Sequence, residues 1–174
     1  MVDRLPDILA ERLKVVFCGV NPGMTAAATG HHFAGRGNRF WRAIHLAGFT
    51  PKQILPADDR TILQHRCGLT TVVERPTQRA DQLSPEEVLA ASASFEQKIV
   101  RYAPHFVGFL GKAAYSALSG KTEIAWGPQS VALGGAAVWI LPNPSGRNRA
   151  FTLERLVSAY RELHRAAEEN PRPA

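Results

Sequence analysis

Two short apolar runs in this chain each stop at an Asn-Pro turn, and that pairing narrows its possible folds more than any other feature. The first run lies within Leu13 to Val20 and is closed by Asn21-Pro22-Gly23. The second, Ala137–Leu141, is closed by Pro142-Asn143-Pro144-Ser145-Gly146. Short β-branched runs read as buried strands, because branched side chains fill a pleated surface while proline and glycine break its ladder. Where such strands alternate with helices, the sheet is mainly parallel and ligands bind outside the carboxyl ends of its strands. Asn21 and Asn143 are therefore expected to meet in one cleft, although they come from opposite ends of the sequence.

The segments in between supply the alternation. A polar, glycine-rich loop is expected from Met24 to Asn38, then a helix from Arg39 with Phe40, Ile44 and Ala47 on one face and Gly48 at its end. Pro56–His65 is a second helical segment. Ser84-Pro85-Glu86-Glu87 has a serine cap, a proline at the first helical position and acid in the first turn, and predicts one long helix to about Tyr102. Phe106–Leu110 reads as another strand, followed by Gly111 and a helix from Lys112 to about Leu118. Val131–Leu133 and Ala137–Leu141 suggest a hairpin across Gly134-Gly135, and Phe151–Glu168 the last helix, with a loose tail from Asn170. The expected fold is α/β: one domain over 1–174, a three-layer α/β/α sandwich around a central, mainly parallel sheet.

At 174 residues such a domain buries enough surface to stand without disulfides or a structural metal. Cys18 and Cys67 are too few and too far apart for a zinc site, a disulfide framework or an iron–sulfur cluster, and read as buried, reduced thiols. The formal charge of +6 and a pI near 9.8 favour a polyanionic partner. The first residues lack the basic start and apolar run of a signal peptide, and no stretch has the roughly 20 apolar residues of a membrane span. A cytoplasmic protein without membrane contact is expected.

Each loop can be read as an ordinary turn, since Asn, Pro and Gly dominate turns. The first lacks the Gly-Lys-Ser/Thr ending of a phosphate-cradling loop. Its continuation, Thr29-Gly30-His31-His32-Phe33-Ala34-Gly35-Arg36-Gly37-Asn38-Arg39-Phe40-Trp41, sets an aromatic and cations among glycines. Phe33 can stack on a base whose edge is read by backbone amides. Adjacent His31 and His32 with no local acid make a poor metal set, and no metal is expected. In the second loop, Ser145, Gly146, Arg147, Asn148 and Arg149 can present cations and a wedge to DNA, arginine suiting guanine or phosphate.

The run Val16 to Trp41, the segment His65 to Thr77 (His-Arg-Cys-Gly-Leu-Thr-Thr-Val-Val-Glu-Arg-Pro-Thr) and Leu141-Pro142-Asn143-Pro144-Ser145-Gly146 together resemble the mismatch-specific uracil and thymine DNA glycosylases. The likeness extends from about Leu13 to Leu163. It implies the uracil-DNA glycosylase fold and an enzyme that flips out uracil or a related damaged pyrimidine opposite guanine. That enzyme hydrolyses the N-glycosidic bond without cofactor or metal and leaves an abasic site. By the resemblance, Asn21 positions the attacking water, Phe33 stacks on the flipped base, and Val20, Ala26, His32, Thr71 and Asn143 line the base pocket. Residues 145–149 form the insertion loop. Departures are Arg147, where relatives often carry an apolar wedge, Ala26 in place of a serine, and Thr71 in place of lysine or asparagine. Neither loop contains lysine, so a monofunctional glycosylase is expected. Asp81 is the one nearby acid that could serve as an alternative base. The expected partner is double-stranded DNA bearing G·U or related lesions, met by a monomer in a bacterial cytoplasm. Competing readings are an efficient uracil glycosylase of the same superfamily, a lesion-binding module with feeble chemistry, and a small-molecule nucleotide hydrolase.

Overall fold

A computed structural model describes residues 4–170; of the expected loose tail, 171–174 lie outside the described residues. The elements in chain order are β1 (Val15–Gly19), α1 (Met24–Thr29), α2 (Phe40–Ala47), a 3-10 segment (Pro56–His65), β2 (Cys67–Thr71), a 3-10 turn (Ala80–Gln82), α3 (Pro85–Ala90), α4 (Ser92–Tyr102), β3 (Phe106–Leu110), α5 (Ala113–Ser119), β4 (Gly127–Pro128), β5 (Ala137–Leu141) and α6 (Leu153–Glu169). The sheet order is β2-β1-β3-β5-β4. The first four of these strands are mutually parallel, and β4 runs antiparallel against β5.

Strand period 2 sends alternate residues to opposite faces, and the two faces carry separate cores. Val15, Phe17, Leu69 and Leu141 pack with Phe40, Ile44, Leu156 and Tyr160 of α2 and α6. Cys18, Val107, Phe109 and Ile140 pack with Val88, Phe95, Ile99 and Tyr115 of α3, α4 and α5. Helices thus cover both faces, which is the three-layer α/β/α sandwich expected. No helix among the described residues is long and apolar enough to cross a membrane.

Four local expectations are corrected. The supposed loop after Asn21 contains α1, because Thr25-Ala26-Ala27-Ala28 is strongly helix-forming and Gly30, at φ 75°, closes it. The long helix from Ser84 breaks at Ala91, although the Ser84 hydroxyl accepts from Glu87 N as its sequence implies. Pro56–His65 is a 3-10 segment interrupted at Asp58. Finally, β5 pairs with Gly127–Pro128, and Leu133 meets only Ala136 across the Gly134-Gly135 turn. The strand Cys67–Thr71 carries no alternation and joins the edge through its parallel register with β1.

Candidate active site

The carboxyl ends of the four parallel strands open on a cleft of about 1080 Å³. β1 delivers Val20 and Asn21, β2 ends in Thr70 and Thr71, β3 leads to Gly111 and Lys112, and β5 leads to Asn143. The strand order reverses between β1 and β3, where an open α/β sheet binds its ligand. Asn21 and Asn143 do line one cleft.

Asn21 is held through its amide nitrogen. Nδ2 donates to the Arg75 carbonyl at 2.8 Å and to Thr77 Oγ1 at 2.8 Å. A carbonyl only accepts, so the atom facing it is the NH₂, and the carboxamide has one allowed orientation. Thr77 spends its own proton on the Arg79 carbonyl at 2.8 Å, leaving a lone pair for Asn21. Among the described residues no donor bonds Asn21 Oδ1, which stands as a free acceptor in the cleft. The chain reaches this arrangement by continuing the β1–β2 pairing past both strands: Val73 N donates to Val20 O at 2.9 Å and Thr77 N to Pro22 O at 3.1 Å.

The first loop folds around a buried carboxylate. Asp59, 3% exposed, accepts His32 N through Oδ2 at 2.9 Å. His32 Nε2 lies 2.7 Å from the Pro6 carbonyl, which assigns the ring proton to Nε2. Burial pushes the His32 pKa down, so this imidazole is neutral at pH 7. Trp41 Nε1 donates to His32 O at 2.9 Å. These bonds hold Phe33 at φ 56°, a left-handed conformation that costs a side-chain-bearing residue about 1–3 kcal/mol. The Phe33 ring is stacked on Phe40 at 4.0 Å and lines the cleft. His31 Nδ1 faces Asp59 Oδ1 at 3.5 Å while His32 turns to Pro6, so the two imidazoles serve different partners.

The second loop is built from its own polar side chains. Asn143 Oδ1 accepts Ser145 N at 2.9 Å, Ser145 Oγ accepts Arg147 N at 3.2 Å, and Asn148 Nδ2 donates to Asn143 O at 2.9 Å. Asn143 Nδ2 bonds nothing among the described residues. The buried Tyr160 hydroxyl donates to Pro142 O at 2.8 Å, and its pKa is pushed well up by burial. The Arg39 guanidinium ties the loop to the start of α2: it donates to Phe151 O at 2.6 Å, Asn148 O at 2.9 Å and Ser145 O at 3.0 Å. Gly146 packs on Gly37, where a Cβ would stand 2.8 Å from the Gly37 carbonyl.

Val20, Ala26, His32 and Thr71 line the cleft, as do Ser145, Gly146, Arg147 and Asn148. Arg149 is exposed and is not among the residues lining the cleft; its N–H donates to Arg147 O at 3.1 Å. Asp81 stands at the rim, 72% exposed, its carboxylate 3.0 Å from Arg79. Neither thiol lines the cleft; burial pushes Cys18 far up and Cys67 to about 12, which leaves both protonated and inert.

Sequence reasoning missed Thr77 and Arg39 as site-building residues; it placed Lys112 at a helix start or near phosphate, and it missed that Trp126 and Phe151 join Lys112 in a wall of the cleft. Thr77 stood inside a quoted motif and Arg39 at an expected helix start, but neither position announces its partner. Trp126 carried no local signal.

The sequence profile described as the uracil DNA glycosylase superfamily matches residues 6–164. A solution NMR structure of a candidate uracil DNA glycosylase from Methanosarcina acetivorans superposes with a TM-score of 0.61. It is 20% identical, and the match covers 94% of this chain and 99% of that one, a likeness of fold. With nearly its full length matched, the chain belongs to the uracil DNA glycosylase superfamily, whose members are DNA-repair hydrolases acting on N-glycosyl bonds.

Proposed function

We propose that this protein binds duplex DNA as a monomer in the bacterial cytoplasm, flips out uracil or a related damaged pyrimidine mispaired with guanine, and hydrolyses its glycosidic bond. The observation that carries the reading is the Asn21 carboxamide, fixed by Arg75 O and Thr77 Oγ1, on a residue that lines the cleft, with its Oδ1 unbonded among the described residues. Oδ1 accepts a hydrogen bond from a water and orients it, but it cannot deprotonate that water. The C1′–N1 bond therefore breaks first. Its electron pair leaves with the base and an oxocarbenium-like sugar remains, which the oriented water traps with loss of a proton. Stabilising the departing anion contributes more than base catalysis in such a scheme.

Phe33, backed by Phe40, offers a ring for the extruded base to stack on, and Asn143 Nδ2, unbonded among the described residues, offers a donor to the flipped nucleotide. Arg147 fills the gap left in the duplex, its guanidinium stacking between neighbouring bases. Extrusion costs a few kcal/mol and least at a mispair, which favours G·U before any contact with guanine is made. Neither asparagine loop carries lysine, and the ammonium of Lys112, which lines the cleft, rests on the Trp126 ring at 4.4 Å, so the reaction ends at the abasic site.

The test is single-turnover cleavage of a duplex with one G·U pair, beside A·U, G·T and single-stranded uracil, with wild type and Asn21→Ala. Abasic product from G·U that collapses in Asn21→Ala, without added metal, supports the reading. Tight binding with no product makes the protein a lesion-binding module instead. Product that survives Asn21→Ala transfers the water-activating role, with Asp81 the next residue to change.

A further inference from the structure

The outer edge of β2 is covered by residues 5–13, which run ahead of β1. Ile8 N donates to Leu69 O at 2.9 Å and Leu69 N to Ile8 O at 2.8 Å. The approach is close, since a Cβ on Gly68 would stand 2.6 Å from the Ile8 carbonyl. One residue earlier, Asp7 is gripped by two elements at once. Its Oδ1 accepts Thr70 Oγ1 of β2 at 2.8 Å, and its Oδ2 lies 2.8 Å from Lys98 Nζ of α4. Lys98 Nζ also reaches Thr70 Oγ1 at 3.3 Å, which closes a triangle between strand, helix and segment.

The same segment touches the cleft. Leu5 lines it, and the Pro6 carbonyl, next to Asp7, accepts His32 Nε2 at 2.7 Å. His32 thus has three anchors: its N–H on Asp59, its carbonyl on Trp41 Nε1, and its ring on Pro6 O. The first two come from the helical segments that follow the loop, and only the third fixes the ring. Arg4 and Glu74 meet at 3.4 Å but are 73% and 74% exposed, so that pair restrains the segment little. Between the Ile8 pairing and the cleft, the Asp7 triangle is the restraint on Pro6.

We propose that Asp7 is a positioning residue for the base pocket: latched by Thr70 and Lys98, it fixes the Pro6 carbonyl and, through it, the His32 ring that lines the cleft beside Phe33. The proposal rests on the DNA glycosylase reading above and adds to it two residues, Asp7 and Lys98, that are not among those lining the cleft.

The sign of the effect on the imidazole separates a latch from a mere charge. The titratable groups facing His32 are Asp59 from the 3-10 segment, Asp7 from the edge segment and His31 of its own loop. Burial is the main influence on the ring and lowers its pKa, whereas the Asp7 charge by itself raises it. Removing Asp7 as a charge therefore lowers the His32 pKa further. Removing it as a latch lets water reach the ring and raises the pKa.

The experiment is an NMR titration of the His32 imidazole in wild type and Asp7→Ala. Beside it, single-turnover cleavage of a G·U duplex is measured for both proteins and for Lys98→Ala and Lys98→Arg. The expected result is a His32 midpoint that rises toward 6.5 in Asp7→Ala. The maximal rate should fall about 3- to 10-fold, with the enzyme concentration at half-maximal rate within about twofold of wild type. Lys98→Ala should lose rate in the same way, and Lys98→Arg, which keeps the cation, should recover most of it. A His32 midpoint that falls or stays in Asp7→Ala overturns the latch, as does a rate loss that comes wholly from weaker DNA binding. Should Asp7→Ala not fold, the lysine variants decide: a full rate in Lys98→Ala, or no recovery in Lys98→Arg, overturns it as well. The titration needs no DNA, so a wild type that fails to cleave G·U removes the glycosylase reading while the His32 midpoint still tells whether Asp7 holds the ring.

Discussion

Asn21 Nδ2 and Thr77 Oγ1 are 2.8 Å apart, and the threonine proton is already committed to Arg79 O. Thr77 therefore acts as an acceptor that steadies a carboxamide, and its effect on chemistry passes through Asn21. Thr77→Ala removes one of two restraints. With a net hydrogen-bond contribution of about 0.5–1.5 kcal/mol, the single-turnover rate on G·U should fall roughly 3- to 10-fold with DNA affinity unchanged. Thr77→Ser, which retains the hydroxyl, should recover most of the rate. Equal losses in rate and affinity would show that Thr77 holds the loop and not the asparagine.

Arg39, at the start of α2, donates to three carbonyls of the 145–151 segment at 3.0 Å or less. Arg39→Ala leaves those carbonyls without their charged donor and should destabilise the protein by about 2–3 kcal/mol, a drop of roughly 5–10 °C in Tm. Arg39→Lys should recover little, because one ammonium cannot reproduce the planar fork. Thermal melts of the three proteins decide this, and a melt of Arg39→Ala within 1–2 °C of wild type would refute the clamp.

Gly146 touches Gly37 backbone to backbone. Gly146→Ala puts a methyl where only 2.8 Å is available to a carbonyl oxygen, so the two loops must part. The expected outcome is a loss of about 1–3 kcal/mol in stability together with at least tenfold weaker binding to G·U duplex. Urea unfolding and a binding titration measure the two separately. Gly35→Ala, where a Cβ meets nothing within 4 Å, is the control expected to leave stability unchanged.

Stability should fall on mild acidification before carboxylates titrate. Burial lowers the pKa of His32 and, through the same cause, that of His164 below the ordinary 6.5. The unfolded chain then binds more protons than the folded one below pH 6.5, so unfolding becomes easier as pH drops. Glu87 and Glu168, lowered by Arg75 and Lys14, add a second loss only below their ordinary 4.5. Urea unfolding at pH 7.5 and 5.5 should show the first loss in wild type. The double variant His32→Gln, His164→Gln should flatten it; an unchanged slope in that variant would exclude both imidazoles.

Three of the four parallel strands, β1, β3 and β5, and the meeting of the two asparagines were legible because each signal is local: a short apolar run, ended in β1 and β5 by an Asn-Pro turn. Ser84, Gly48 and Gly111 were legible for the same reason, each marking an element end through its own backbone preference. What stayed hidden depends on partners far along the chain. Thr77 matters because β1 and β2 keep their register past their ends, and Arg39 because the 144–151 loop comes back over α2. The misplaced hairpin shows the limit of pattern alone: Val131–Leu133 is apolar and followed by two glycines, yet β5 takes Gly127–Pro128, bringing Trp126 beside Phe151. The short helix after Gly23 was concealed by the glycines around it, although its alanines favour one.

The sheet also serves as a ruler. Asn21 leaves β1 and Asn143 leaves β5, with β3 between them, so their roots are set two strand spacings apart, about 10 Å. That interval comes from backbone hydrogen bonding and cannot drift by side-chain substitution. Evolution can retune what the two amides touch, or lengthen either loop, but the gauge between them changes only in whole strands. On the proposed function, a nucleotide held between the two is thus measured against a dimension of the molecule that mutation cannot adjust gradually.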